Sequence, residues 1–137
     1  MCYGISALAL DNPDAPDYVG EFLDRAQVHE LDIQRTAHTT QGCVSAYEAY
    51  QNFLDAEIDK AYKLLMGRLD RDAQGALRDS QQKWLKHRDA ESEFITLNWT
   101  MENFGSSSVI SRGGYRTTIS KNRVTQLLYY LQNYPNP

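Results

Sequence analysis

Across the sixty residues from Cys43 to Glu102 the helical pattern is interrupted once, at Asp70-Arg71-Asp72. So short a connection makes two long helices return antiparallel, with an aspartate placed to cap the second. In the first run, Cys43 to Leu69, the residues Val44, Tyr47, Leu54, Ile58, Ala61, Tyr62, Leu65 and Leu69 share one stripe, with a gap at Gln51. The second run extends from about Ala73 to Glu102, and its central stretch, Leu77 to Phe94 (LRDSQQKWLKHRDAESEF), holds no Gly or Pro. Its inward face reads Leu77, Gln81, Trp84, Arg88, then Glu91 or Ser92, and Ile95. An ordinary amphipathic helix would carry Leu or Ala where Gln81 and Arg88 stand.

A charge on a partly buried face needs a partner, because an isolated one is costly to desolvate. Asp55 and Asp59, one turn apart beside the first stripe, are the acids the pattern offers. We expect Arg88 to pair with Asp59 or Asp55 inside a polar core that also holds Gln81 and Trp84. Breaking such a pair by removing the Arg costs about 3–5 kcal/mol.

The rest of the chain adds two helices to this hairpin. Asp17 can cap a first helix from Tyr18 to about Gln34, with Val19, Phe22, Leu23, Ala26 and Leu31 as its apolar positions. Thr36 to Gly42 is a polar break. Phe104 to Tyr115 (FGSSSVISRGGY) has three Gly and four Ser in twelve residues and reads as a loop. A last helix then runs from about Thr117 to Tyr134, with Pro135 and Pro137 closing the sequence. The fold class is all-α, a small antiparallel bundle of about four helices with one Gly/Ser-rich loop. At 137 residues the chain is long enough to bury a core without metals or disulfides. Residues 1–16 read as a signal remnant or linker, and residues 17–137 as one helical domain. In that remnant, Cys2 to Leu10 (CYGISALAL) is mostly apolar, and Ala7-Leu8-Ala9 has the small-x-small form of a signal-peptidase site. This points to export.

Charge and chemistry exclude more than they assign. The net charge of −4 and the absence of a Lys/Arg run argue against nucleic acid. No apolar run is long enough for a membrane span. Cys2 and Cys43 show no metal spacing. Asp70-x-Asp72-x-Gln74-Gly75 opens like a calcium loop, but Gln81 stands where a bidentate Glu is needed. His87, Asp89, Glu91, Ser92 and Glu93 are close in sequence, yet helical geometry points Ser92 away from His87 and Glu91 away from Glu93. No catalytic residue, metal or cofactor is assigned, and the chain reads as no enzyme. Nine Tyr exceed what a core of this size usually needs: Tyr47, Tyr50, Tyr62 and Tyr130 fill the bundle seams with their hydroxyls reaching water, or else the surplus forms a protein-binding face.

The same residues carry a family resemblance. Asp55, Ile58, Asp59 and Tyr62 (DAEIDKAY), Leu65 and Leu69, then Gln82, Trp84, Arg88, Asp89 and Phe94, Gly105-Ser106, and Arg123 with Leu127 resemble the lysozyme inhibitor LprI-like family of small secreted bacterial proteins. Coverage is about residues 40 to 130. Family members are typically cysteine-rich; Ser92 and about Tyr115 occupy the places of one characteristic bridge, while Cys43 matches the cysteine that opens the long helix. The resemblance implies a non-enzymatic, periplasmic or envelope-exposed domain that binds a protein, either a secreted antibacterial toxin or a peptidoglycan hydrolase. Phe104, Ser106, Ser107, Ser108, Arg112 and Tyr115 are the partner-binding candidates, and the basic last third favours an acidic partner surface. The alternative is a structural or assembly module of the envelope with no inhibitory role.

Overall fold

The computed structural model describes residues 12–134. The export-like stretch Cys2–Leu10 and the two terminal prolines lie outside the described residues. Within them the chain is all-α: α1 Tyr18–Thr36, α2 Thr40–Met66, α3 Arg71–Asn98, the single turn α4 Met101–Phe104, and α5 Ser107–Asn133. Four of these helices begin at a residue whose side chain accepts a first-turn amide. Asp17 caps α1, Thr39 α2, Asp70 α3 and Thr100 α4. Short turns then reverse the chain each time, so α2 and α5 lie parallel and α1 and α3 run opposite to them.

The core is built on three helices. Phe22 and Ala26 from α1, Tyr50, Leu54, Ile58, Ala61 and Leu65 from α2, and Val124, Leu127, Leu128 and Leu131 from α5 form one buried cluster, to which α3 adds Leu77. The pairing of α2 with α5 is the most extensive in the molecule. By contrast α3, though 28 residues long, buries only Leu77 near its start and Ile95 near its end. It flanks the core, fastened at both ends, with a polar stretch between.

Ion pairs fasten α1. Arg25 grips Glu57 with Nε to Oε1 at 2.6 Å and Nη2 to Oε2 at 3.0 Å, and the bidentate geometry suits a carboxylate as buried as that of Glu57. One carboxylate oxygen of Glu30 accepts from Tyr50 Oη at 2.6 Å and from Lys121 Nζ at 2.7 Å, tying α1 to both α2 and α5. Burial opposes ionisation of Glu30, but the bonds from Lys121 and Tyr50 and the nearby ammonium outweigh it and hold its pKa below the usual range. A carboxyl depressed in the folded state adds stability above its unfolded pKa and loses it as pH falls through the folded one. Glu30→Gln is therefore expected to lower Tm at neutral pH, with the gap to the parent closing on acidification below the carboxylate range. A gap that stays constant in thermal melts across that range would sink this linkage.

The structure corrects the extent of the Gly/Ser-rich loop. Among the described residues only Gly105 takes a positive φ, 65°, and helix α5 begins at Ser107, ten residues before the expected Thr117. The glycines that looked like loop composition serve close packing instead. A Cβ on Gly113 would lie 2.4 Å from Cγ of Tyr47, so the Tyr47 ring rests directly on the α5 backbone. The connection from α1 to α2 is likewise tighter than the polar break at Thr36–Gly42, because Thr39 caps α2 from within it.

Candidate functional site

Two regions carry the side chains singled out by the sequence. The first is the tip where α3 ends, α4 makes its turn and α5 begins. Trp99 is the C-cap of α3, and its half-buried indole gathers the surrounding aromatics. Phe94 meets it edge-on at 5.7 Å, Phe104 stacks at 6.1 Å and Tyr115 approaches at 4.8 Å. Leu97 and Met101 add apolar surface, and these two with Phe94, Phe104 and Tyr115 are all exposed. Arg112 donates from Nε to the Trp99 carbonyl and Arg116 from Nη2 to Thr96 Oγ1, so two guanidinia bind the start of α5 to the end of α3. Burial and the charge of Arg112 push the Arg116 pKa down.

Of the six partner-binding candidates, Phe104, Arg112 and Tyr115 meet around Trp99. Ser106 and Ser107 instead line a notch of about 200 Å³ against His38 and the buried Cys43 thiol of the α1–α2 turn. Ser108 is fully buried, and its hydroxyl has no hydrogen-bond partner. The partner-binding candidates left out Phe94, Leu97, Trp99 and Met101. Their signal was the run of large apolar residues on several faces of one helix end, which a single amphipathic helix cannot bury.

The second region is the seam between α3 and the α2–α5 pair. Asp55, Asp59, Gln81, Trp84 and Arg88 all line one groove there, of about 440 Å³. Arg88 Nη1 lies 4.0 Å from Asp55 Oδ1, while its Nη2 is 3.2 Å from Asp89 on its own helix. The Arg88 side chain is 32% exposed and that of Asp55 48%, so their pair sits in an open groove. No ion pair joins Arg88 to Asp59. The buried cation of the seam is Arg123, 5% exposed. Its Nε donates to Gln81 Oε1 at 3.0 Å, Nη1 to Gln126 Oε1 at 3.1 Å and Nη2 to Ser80 Oγ at 3.5 Å. Both guanidinia approach the Trp84 ring, whose centre is 5.5 Å from Arg88 Cζ and 5.7 Å from Arg123 Cζ. All the hydrogen-bond partners of Arg123 are neutral, and burial pulls its pKa down. Gln81 stands on the inward face because a guanidinium from α5 needs its amide oxygen.

Among the described residues no group of three or more His, Cys, Asp or Glu converges as a metal site would require. No described helix is long and apolar enough to cross a membrane. The sequence profile of the family described as Lysozyme inhibitor LprI matches residues 32–127. The matched span holds the whole seam, the tip and most of α5. No curated protein and no solved structure gives a significant match.

Proposed function

The chain belongs to the lysozyme inhibitor LprI family, and on that premise we propose that it is an exported protein that neutralises a cell-wall hydrolase or a secreted antibacterial toxin by steric occlusion. The inserting element is the tip around Trp99, and the observation that carries the reading is its composition. Phe94, Phe104 and Tyr115 surround one indole, and two arginines lock the turn they stand on. Tryptophan, tyrosine and arginine are the residues that dominate binding energy at protein interfaces. A turn already fixed by hydrogen bonds loses little entropy on docking. Helix α5 contains no acid from Ser107 to Asn133, and its positive N-terminal end lies at the tip. Glycosidase clefts typically present paired carboxylates, so such an end is complementary to them.

Inhibition of a lysozyme-type muramidase tests this. Phe104→Ala and Tyr115→Ala are each expected to raise the inhibition constant at least about tenfold, with the helical CD spectrum and Tm nearly unchanged because both side chains are exposed. Inhibition should also weaken with added salt. Unaltered inhibition by both variants would remove the tip from the mechanism.

The second reading, an assembly module of the envelope, has one feature in its favour. An apolar groove of about 560 Å³, lined by Leu69, Leu77, Tyr129, Tyr130 and Tyr134, opens at the far end of the bundle. A stoichiometric envelope partner retained through gel filtration, together with no effect on any muramidase, would favour that reading.

A further inference from the structure

The α3 seam is open along its polar middle. Two grooves run along it and share Asp55 and Arg88: one of about 440 Å³ reaching Arg78 and Tyr62, the other of about 240 Å³ reaching Ser92, Arg116 and Ser120. Their walls carry three carboxylates, Asp55, Asp59 and Asp89, and three guanidinia, Arg78, Arg88 and Arg116. Formal charge therefore balances, yet the pairing is incomplete. Arg88 takes up Asp89 and, more distantly, Asp55, while no ion pair among the described residues engages Asp59, Arg78 or Arg116. The amides of Gln51, Gln81 and Gln82 stand among these charges. On the wall of the smaller groove, Gln51 Oε1 and Arg116 Nε are buried with no hydrogen-bond partner. Both residues line that groove, and buried polar atoms left unsatisfied are uncommon in a native fold.

This lining discriminates by chemistry. An anion would face the aspartates, a cation would face the arginines, and an apolar ligand would strip water from six charged groups. A hydroxyl group both donates and accepts, and a carboxylate beside a guanidinium or an amide serves both needs at once. Tyr62, Leu85 and the half-exposed Trp84 supply apolar surface beside the polar groups, as C–H faces of a sugar ring require. The larger groove falls within the usual size range of small-ligand sites. We propose that the α3 seam binds a short, uncharged saccharide. This goes beyond the inhibitor reading, because it concerns the middle of the molecule and not the tip: a protein of this family would hold a glycan and a glycan-cleaving enzyme on separate surfaces.

The test is a ¹⁵N NMR titration of the full chain with triacetylchitotriose, using glycylglycine as a zwitterionic comparison. Saturable shifts are expected within residues 51–62, 78–92 and 116–120, with a dissociation constant on the order of millimolar. Asp59→Asn removes an exposed carboxylate that no ion pair engages, so it should keep the fold while weakening the saccharide at least about tenfold. Arg78→Gln serves as a second, equally exposed variant. An absence of shifts, an equal response to glycylglycine, or affinity unchanged in both variants would overturn the proposal. Because the Phe104→Ala protein keeps the seam intact, saccharide binding should persist in it whatever becomes of inhibition, which separates failure of one idea from failure of the other.

Discussion

Replacing Arg123 with alanine is expected to destabilise the protein by about 2–4 kcal/mol. The side chain is 5% exposed and bridges α5 to Gln81 and Ser80 of α3. Truncation removes its buried stem and strips a charged donor from each of these acceptors and from Gln126. Arg123→Met should cost less, about 1–2 kcal/mol, because it refills the buried volume and removes a charge that no carboxylate compensates, while the same three acceptors still lose their donor. The order matters more than the sizes, since the sequence placed the ionic lock at Arg88. With Arg88 part-exposed and 4.0 Å from Asp55, Arg88→Ala is now expected to cost under about 1 kcal/mol. Urea denaturation of the three variants, extrapolated to water, ranks them. An Arg88→Ala loss exceeding that of Arg123→Ala would return the lock to Asp55.

That exchange of arginines shows where the sequence was legible. Helical period, the Asp70 cap and the brevity of the break are local signals that hold in the α2–α3 hairpin, although the turn falls at Gly67–Asp70 and Arg71 and Asp72 already belong to α3. The anomalous face of α3 was equally plain: Leu77 and Ile95 bound it, Gln81 and Arg88 interrupt it, and these two apolar residues are the ones α3 buries. The buried contact on that face comes from α5, whose Arg123 bonds Gln81 and approaches the Trp84 ring. Nothing near Arg88 in the sequence reports that contact. The tip was half legible for a related reason. Phe104, Arg112 and Tyr115 were grouped as members of one loop, whereas they come together through the turn at Gly105 and around Trp99, which had been assigned to the interior of a helix.

Gly113 and Gly75 are expected to respond to added side chains with opposite signs, although both are glycines inside long helices. At Gly75 nothing lies within 4 Å of an added Cβ, so Gly75→Ala should stabilise α3 by about 0.5–1 kcal/mol through helix propensity alone. At Gly113 the same Cβ would sit 2.4 to 2.6 Å from Cγ and both Cδ atoms of Tyr47. Those atoms are the inner part of the ring, next to the α2 backbone, and a rotamer change does not easily clear them. Either Tyr47 leaves its site or α2 and α5 separate, and that helix pair carries the core. Gly113→Ala should therefore lose about 1–2 kcal/mol net of its propensity gain, and Gly113→Val about 2–4 kcal/mol. The two residues are also coupled. In a Tyr47→Ala background, the Gly113→Val penalty should shrink by at least about 1 kcal/mol, a difference that a double-mutant cycle in urea reads directly. Two turns of α5 separate Gly113 from neither Arg112 nor Tyr115, so a shifted α5 should also disturb the tip, and Gly113→Val is expected to weaken hydrolase inhibition even where the protein remains folded. A Gly113→Val variant as stable as the parent, or a penalty untouched by removal of Tyr47, would show that the ring does not set the spacing of α2 and α5.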